Sequence, residues 1–262
     1  MNANHRWEET EYCASLVMRD FLSDTAASVT GALDVFFPRH CAGCGGAVDR
    51  PSGHVCWDCF RRIELHQGSA CDCCGLKLDG EIRHAFLCTA CRERPPHFDR
   101  ARSAGRFRGV LRDLLHQFKY GQATWLGSDL AEFLHGCVLA HFAADEIDLV
   151  VPVPLHRKKL RDRGYNQAAL LAGVLAARLG RPCAGDVLAR VRATPTQTRL
   201  HADDRRRNVR GAFAARAPGW VRGRTVLLVD DVMTTGATLG EAADTLKRAG
   251  AWRVWAATVA RG

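Results

Sequence analysis

The run TVLLVDDVMTTGAT, residues 225–238, ends an apolar stretch in two adjacent acids, Asp230 and Asp231, and then sets Thr234, Thr235 and Thr238 around Gly236 and Ala237. Two carboxylates at the end of a buried strand cost free energy unless something uses them. The residues that follow have a helical pattern, and Thr238 with Glu241 reads as a T-x-x-E capping box at its start. Threonine hydroxyls and backbone N–H groups then converge on a helix N-terminus, which suits a phosphate monoester. The carboxylates do not ligate that phosphate. They suit vicinal hydroxyls, or a magnesium ion bridging to them. One ligand with a phosphate, sugar hydroxyls and a bound metal meets all of these demands. The acidic strand of a P-loop NTPase would need a G-x-x-x-x-G-K-[ST] loop earlier in the chain, and the sequence has none. The plainer alternative is an ordinary strand–turn–helix with two surface acids.

The second chemistry-bearing group is sulfur. Nine of the twelve cysteines fall from Cys41 to Cys91, and eight of these form C-x-x-C knuckles: Cys41/Cys44, Cys56/Cys59, Cys71/Cys74 and Cys88/Cys91. A C-x-x-C turn aims two thiolates at one tetrahedral ion, and two such turns close a four-sulfur site with no open position for water. The pattern points to two structural zinc ions, with an iron–sulfur cluster as the other occupant such thiolates take. Gly45 and Gly75 follow the first knuckle of each pair, where the tight turn needs a positive φ. Sequential pairing of the knuckles gives two ribbons and crossed pairing gives a braced module; spacing alone leaves both open. Cys73 breaks the spacing and reads as a spare thiol, with substitution for a neighbouring ligand as the alternative, while Cys13, Cys137 and Cys183 read as packing residues. Zinc binding would here substitute for a missing core, so the module is assigned a structural role and no catalysis.

The formal net charge is +9, carried mostly by arginine. Guanidinium matches phosphate oxygens in a bidentate way, so phosphate or nucleic acid is a natural partner; base-composition bias is the bland alternative. No apolar run approaches the ~18 residues that span a bilayer. The acidic, interrupted N-terminus HRWEETEY is unlike a signal peptide, and cysteine crowding of this kind suggests metal in a reducing compartment, so a cytoplasmic protein without membrane insertion is expected.

Around these groups the chain divides into three expected parts: an amphipathic helical extension over 1–37, a cysteine-rich module over 38–96, and an α/β domain over 97–262. Helices are expected over 108–121, 126–142, 166–180 and 239–250, and strands over 147–154, 186–191, 211–215, 225–231 and 253–260. Alternating strands and helices imply a parallel sheet with right-handed crossovers. In such a sheet ligands bind at the C-terminal edge of the strands, which is where Asp230 and Asp231 fall.

VLLVDDVMTTGAT resembles the phosphoribosyl-pyrophosphate (PRPP) motif of the type I phosphoribosyltransferases. That resemblance implies that Asp230 and Asp231 contact ribose hydroxyls and that Thr234, Thr235, Gly236, Ala237 and Thr238 cradle the 5′-phosphate. VPVPLHRKKLRDRGYNQA (151–168), TPTQTRLHADDRRRNVRGAF (194–213) and LLHQFKYG (114–121), behind a double zinc ribbon, are similar to one branch, the ComF family, whose members are associated with DNA uptake in competent bacteria. The resemblance covers about residues 30–262. It implies a type I phosphoribosyltransferase-like fold and a pyrophosphate loop at Leu155, His156, Arg157 and Lys158, with Arg161 and Arg163 nearby. A solvated basic turn is the alternative for that segment. By the resemblance the long polar segment 192–211 would be the loop that closes over the reacting centre, with Arg199, Arg207 and Asn208 as its candidate residues; a disordered or DNA-contacting loop is the alternative.

The function so implied is binding of PRPP with magnesium and transfer of its phosphoribosyl group to a nitrogen acceptor chosen by a hood over 100–125. Asp230, Asp231, Arg157 and Lys158 would be the catalytic set. The alternatives are a non-catalytic binder of nucleotide or single-stranded DNA, and a component of the DNA-import machinery that contacts a helicase through the zinc module.

Overall fold

A computed structural model of the protein describes residues 39–50, 53–78, 80, 84–193 and 202–262. The helical extension expected over 1–37 lies outside the described residues. Among the described residues no helix is long and apolar enough to cross a membrane.

The cysteine-rich segment forms two similar loops, each followed by a short helix, α1 (Trp57–Arg61) and α2 (Thr89–Glu93). The chain then enters a four-stranded parallel sheet. Its strands are β1 (Arg100–Arg106), β2 (Leu149–Pro152), β5 (Thr225–Met233) and β6 (Arg253–Arg261), in the order β1-β6-β5-β2. Helices α3 (Gly109–Tyr120), α4 (Gly127–His141), α5 (Arg157–Arg163) and α6 (Gln167–Leu179) come between β1 and the last two strands. Strands β3 (Leu188–Arg190) and β4 (Phe213–Ala215) flank α7 (Ala202–Val209), and α8 (Ala237–Arg248) connects β5 to β6.

The run TVLLV is apolar throughout because both of its faces are covered. Leu227 and Val229 pack with Leu130, Leu134, Leu171 and Leu175 of α4 and α6. Val226 and Leu228 pack with Leu239 and Leu246 of α8 on the other face. The sequence and structure agree on β2, β5, β6 and the four long helices to within two residues or so at most ends.

Three elements differ from expectation. β1 was not foreseen, because RARSAGR has neither β-branched nor aromatic residues. It is held instead by its ladder to β6, by a 2.7 Å hydrogen bond between the Ser103 and Thr258 hydroxyls, and by the cysteine module along its outer edge. There His66 N donates to Ala104 O and Arg106 N donates to Glu64 O. Next, the basic segment 157–163, expected as a pyrophosphate loop or a solvated turn, is a helix. His156 caps it by accepting from Lys158 N at 3.3 Å, and Gly164 ends it. Finally, β3 and β4 pair antiparallel with each other, apart from the parallel sheet, and α7 occupies part of the segment read as a polar loop.

Candidate functional site

β2 ends at Pro152, paired with Val229, so Asp230 and Asp231 stand one and two residues beyond the end of that neighbour. A cleft of about 620 Å³ opens there. Its floor is Asp230, Asp231, Val232, Thr234 and Thr238. One wall comes from the end of α3, with His116, Lys119, Tyr120 and Gln122, and from Phe107. A basic part of the lining comes from Lys159 and Arg163 of α5, Arg190 of β3 and Arg205 of α7, with the Arg163 guanidinium 5.4 Å from the centre of the Tyr120 ring.

The two acids have different surroundings. Asp231 is buried, accepts from Val232 N at 2.8 Å through Oδ1, and meets Lys119 Nζ at 2.7 Å through Oδ2. Asp230 accepts from Asp231 N at 2.9 Å. Burial of its carboxyl, followed by the negative charge of Asp231, pushes the Asp230 pKa up to about 7. Burial pulls Lys119 down, but the Asp231 and Asp230 carboxylates outweigh it and hold the ammonium above its ordinary range. Lys159 shifts the other way, lowered first by burial and then by the charges of Arg190, Arg163 and Lys119. A surplus of positive charge therefore lines the same cleft as the two acids, as a polyanion site requires.

β5 runs through both acids to Met233, two residues past Asp231. The loop that follows enters α8 at Gly236, whose φ of +75° makes the turn that a side chain would oppose. The expected capping box is not formed. Gly236 is the N-cap, Thr238 lies inside the first turn facing the cleft, and Glu241 Oε1 accepts from Gly211 N at 2.5 Å. The helix starts earlier than the box assumed because the left-handed glycine, not a threonine, breaks the strand. Ala237 N is met by Thr235 Oγ1 at 3.4 Å.

Of the loop residues, Thr234 and Thr238 line the cleft, and Thr235, Gly236 and Ala237 do not. Leu155 lines the cleft, while Arg157 and Lys158 are exposed outside it. Lys159 and Arg163, four residues apart on α5, share one helix face and both line the cleft. Arg207 pairs with Asp204 at 3.0 Å on an exposed face, and Asn208 O accepts from Arg192 at 2.9 Å. Arg199 lies outside the described residues. Lys119, Lys159, Arg190 and Arg205 were assigned no role from sequence. The signal for Arg205 was available in the helical period, since it sits four residues before buried Val209.

The cysteines pair sequentially. Cys41, Cys44, Cys56 and Cys59 form one group and Cys71, Cys74, Cys88 and Cys91 the other, with all Sγ atoms of each group within 4.8 Å of one another. The Cys44–Cys56 and Cys74–Cys88 Sγ separations are both 3.8 Å. Four sulfurs at ~2.3 Å around a tetrahedral zinc stand ~3.8 Å apart, so the donor set fits that ion. Backbone N–H groups point at the sulfurs: Gly43 N and Cys56 N donate to Cys41 Sγ, and Cys88 N to Cys71 Sγ, each at 3.3 Å. Gly45 and Gly75 have the expected positive φ, 74° and 68°. Cys73 stands outside both groups and contributes its carbonyl to Ala101 N.

A family model described as a double zinc ribbon domain matches residues 32–92, and one described as a phosphoribosyl transferase domain matches residues 165–262. "Competence protein F" of Haemophilus influenzae is 33% identical over 219 residues, covering 82% of this chain and 93% of that protein. The chain belongs to the ComF family. "DNA utilization protein YhgH" of Salmonella typhimurium is 37% identical over 75% of this chain and 86% of its own, and "Competence protein ComFC" of Bacillus subtilis 26% identical over 77% and 81%. Among solved structures, a glutamine PRPP amidotransferase from B. subtilis, complexed with ADP and GMP, is 26% identical over 50% of this chain, with a TM-score of 0.33; the match spans 25% of that longer chain. The two matched models leave residues 93–164 of this ComF-family chain between them. Lys119, Lys159 and Arg163 all lie in that interval, and folding brings them to the acids of the phosphoribosyl transferase domain.

Proposed function

We propose that this ComF-family protein binds PRPP with magnesium in the cleft and transfers its phosphoribosyl group to a nitrogen acceptor. The observation that carries the reading is the meeting, in one cleft, of two adjacent acids, a hydroxyl-bearing loop at a helix N-terminus, and a set of cations. Thr234 and Thr238, with the first-turn N–H groups of α8, would hold the 5′-phosphate. Asp230 and Asp231 would take the ribose hydroxyls. A magnesium ion, when bound, would offset the charge of the pyrophosphate, and Asp230 is the carboxylate open to it.

In the reaction the anomeric C–O bond breaks and its electron pair leaves with pyrophosphate. The acceptor nitrogen gives its lone pair to the same carbon, and its proton passes to water or to the released pyrophosphate. Lys159, Arg163 and Arg190 would stabilise the departing charge, as preorganised cations do. Arg157 and Lys158 stand outside the cleft and would add long-range attraction. The cysteine groups would each hold a structural zinc ion. Thiolates of this kind persist in a reducing compartment, which favours the cytoplasm. By the names of its relatives, the protein would serve DNA uptake or DNA utilization.

The test is calorimetric titration of PRPP with Mg²⁺ into zinc-loaded protein, followed by pyrophosphate release with a panel of nucleobases. Asp230→Asn with Asp231→Asn should abolish PRPP binding. Retention of full affinity in that double variant would refute the assignment.

A second reading is a non-catalytic nucleotide or single-stranded DNA site. Tyr120 favours it: the ring is 62% exposed at the cleft, with the Arg163 guanidinium 5.4 Å from its centre. Stacking faces beside cations suit single strands. DNA binding of this type falls steeply with salt and strengthens when the two acids are neutralised, whereas PRPP binding is lost in the same variant.

A further inference from the structure

We infer that Gln117 is a positioning residue that couples the first four-cysteine site to the shape of the cleft. Gln117 lies on α3 and donates through Nε2 to Ala42 O at 2.7 Å. Ala42 sits inside the first knuckle, between Cys41 and Cys44, and its own N–H donates to His54 O at 2.9 Å. The same knuckle leaves no slack against α3. A Cβ on Gly43 would stand 2.8 Å from Cys59 Sγ and 3.2 Å from Val110 Cγ1.

The other side of Gln117 faces the cleft turn. Its backbone carbonyl accepts from Gly121 N at 2.8 Å and from Ala123 N at 3.4 Å. Those two bonds bracket Gln122, which has a φ of 54° and is the one non-glycine residue with positive φ among the described residues. The helix end and turn so held carry Lys119 against Asp231, with Tyr120 and Gln122 in the cleft lining. A helix end with a strained residue after it keeps its place only when its surroundings over-determine it. Here the over-determining contact comes from a loop whose own shape depends on four thiolates.

Further clamps make the first site and this helical layer one unit. Arg50 reaches Glu132 at 2.7 Å and Asp129 at 3.5 Å, and His54 N donates to Asp129 at 3.1 Å. The second site reaches the molecule by a different route. Arg102 donates to Cys71 O and Asp72 O, and Arg261 approaches Cys74 Sγ at 3.7 Å. Loosening the first site should therefore be felt at residues 119–122 through Gln117, and loosening the second should not pass through that residue.

The binding half of the test rests on the PRPP reading; the exchange half does not. Full-length zinc-loaded protein is compared with Gln117→Glu, which keeps side-chain length but removes the donor. Zinc content, amide hydrogen exchange at Gly121 and Ala123, and affinity for PRPP with Mg²⁺ are measured. The expected result is two zinc ions retained, faster exchange at both amides, and PRPP affinity lowered about 2- to 30-fold, the range of coupled positions. Cys44→Ser should give the same exchange signature in the wild-type background and add little to Gln117→Glu, whereas Cys88→Ser should add fully. Unchanged exchange at Gly121 and Ala123 in Gln117→Glu overturns the inference, as does full additivity of Cys44→Ser with it. If wild-type protein does not bind PRPP, the proposed function fails while the exchange data still decide this coupling.

Discussion

Lys119 Nζ sits 2.7 Å from Asp231 Oδ2, joining the last turn of α3 to the end of β5 and tying a residue between the two matched domain models to the acidic motif. The pair is unequally buried, with side-chain exposures of 28% for the lysine and 7% for the aspartate. Asp231 is thus the partner that suffers when the pair is broken.

Replacing Lys119 by Met leaves a buried carboxylate without its counter-charge. The expected loss is about 2–3 kcal/mol, less than the roughly 3–5 kcal/mol of a fully buried pair, because the ammonium is partly wetted. Adding Asp231→Asn to that variant should restore much of the loss. Urea denaturation of the two single variants and the double variant measures the interaction; additive losses would show that the pair does not stabilise the fold.

Asp230 makes the site pH-dependent. Its folded pKa is raised from 3.8 to about 7, so the folded state holds a proton that the unfolded state has released. The stabilising contribution is then full below pH 3.8 and is lost as pH rises towards 7. Asp230→Asn should flatten that slope in a pH series of urea melts. Binding moves the opposite way: the acceptor form of the carboxylate appears above pH 7, so PRPP–Mg²⁺ affinity should increase from pH 6 to pH 8. An affinity independent of pH in that window would rule out Asp230 as an ionised contact.

The parts of the fold that could be read directly are those whose signals are local. The buried run at 225–229, the period of 167–179 and the knuckle spacings each follow from neighbours in sequence, and the structure forms them where expected. β1 was hidden because its stability comes from β6 and from the cysteine module, both distant in sequence. The site divides in the same way. Asp230, Asp231, Thr234 and Thr238 line one cleft. The sequence reads 154–164 as a pyrophosphate loop, in which adjacent residues share a fate, but 157–163 is helical, and its period separates exposed Arg157 and Lys158 from Lys159 and Arg163, which line the cleft.

Gln122 offers a test of stored strain. Its φ of 54° costs a non-glycine residue roughly 1–2 kcal/mol. Glycine there relieves the strain but adds roughly 0.5–1 kcal/mol of unfolded-chain entropy. Gln122→Gly should therefore raise stability by about 0.5–1 kcal/mol, while Gln122→Ala, which keeps the strain, should not. Paired thermal melts distinguish these outcomes. A cleft residue whose replacement stabilises the protein yet weakens ligand binding is retained for function.

The basic wall supplies the sharpest comparison between segment and position. Lys159 and Arg190 come from different elements, α5 and β3, yet both line the cleft, and their mutual repulsion contributes to the lowered pKa of Lys159. An anion placed between them would relieve that repulsion, so pyrophosphate should bind there and draw the ammonium back up. Lys159→Ala and Arg190→Ala should each weaken pyrophosphate binding about 10- to 100-fold, the usual loss for a hydrogen bond to a charged group. Arg157→Ala and Lys158→Ala, which remove equal charge from exposed positions outside the cleft, should cost only a few-fold, and that cost should vanish at high salt. Calorimetric titration of pyrophosphate at two salt concentrations separates the two pairs. Equal, salt-sensitive losses in all four variants would mean that the segment acts as a diffuse basic surface and not through groups aimed at the ligand.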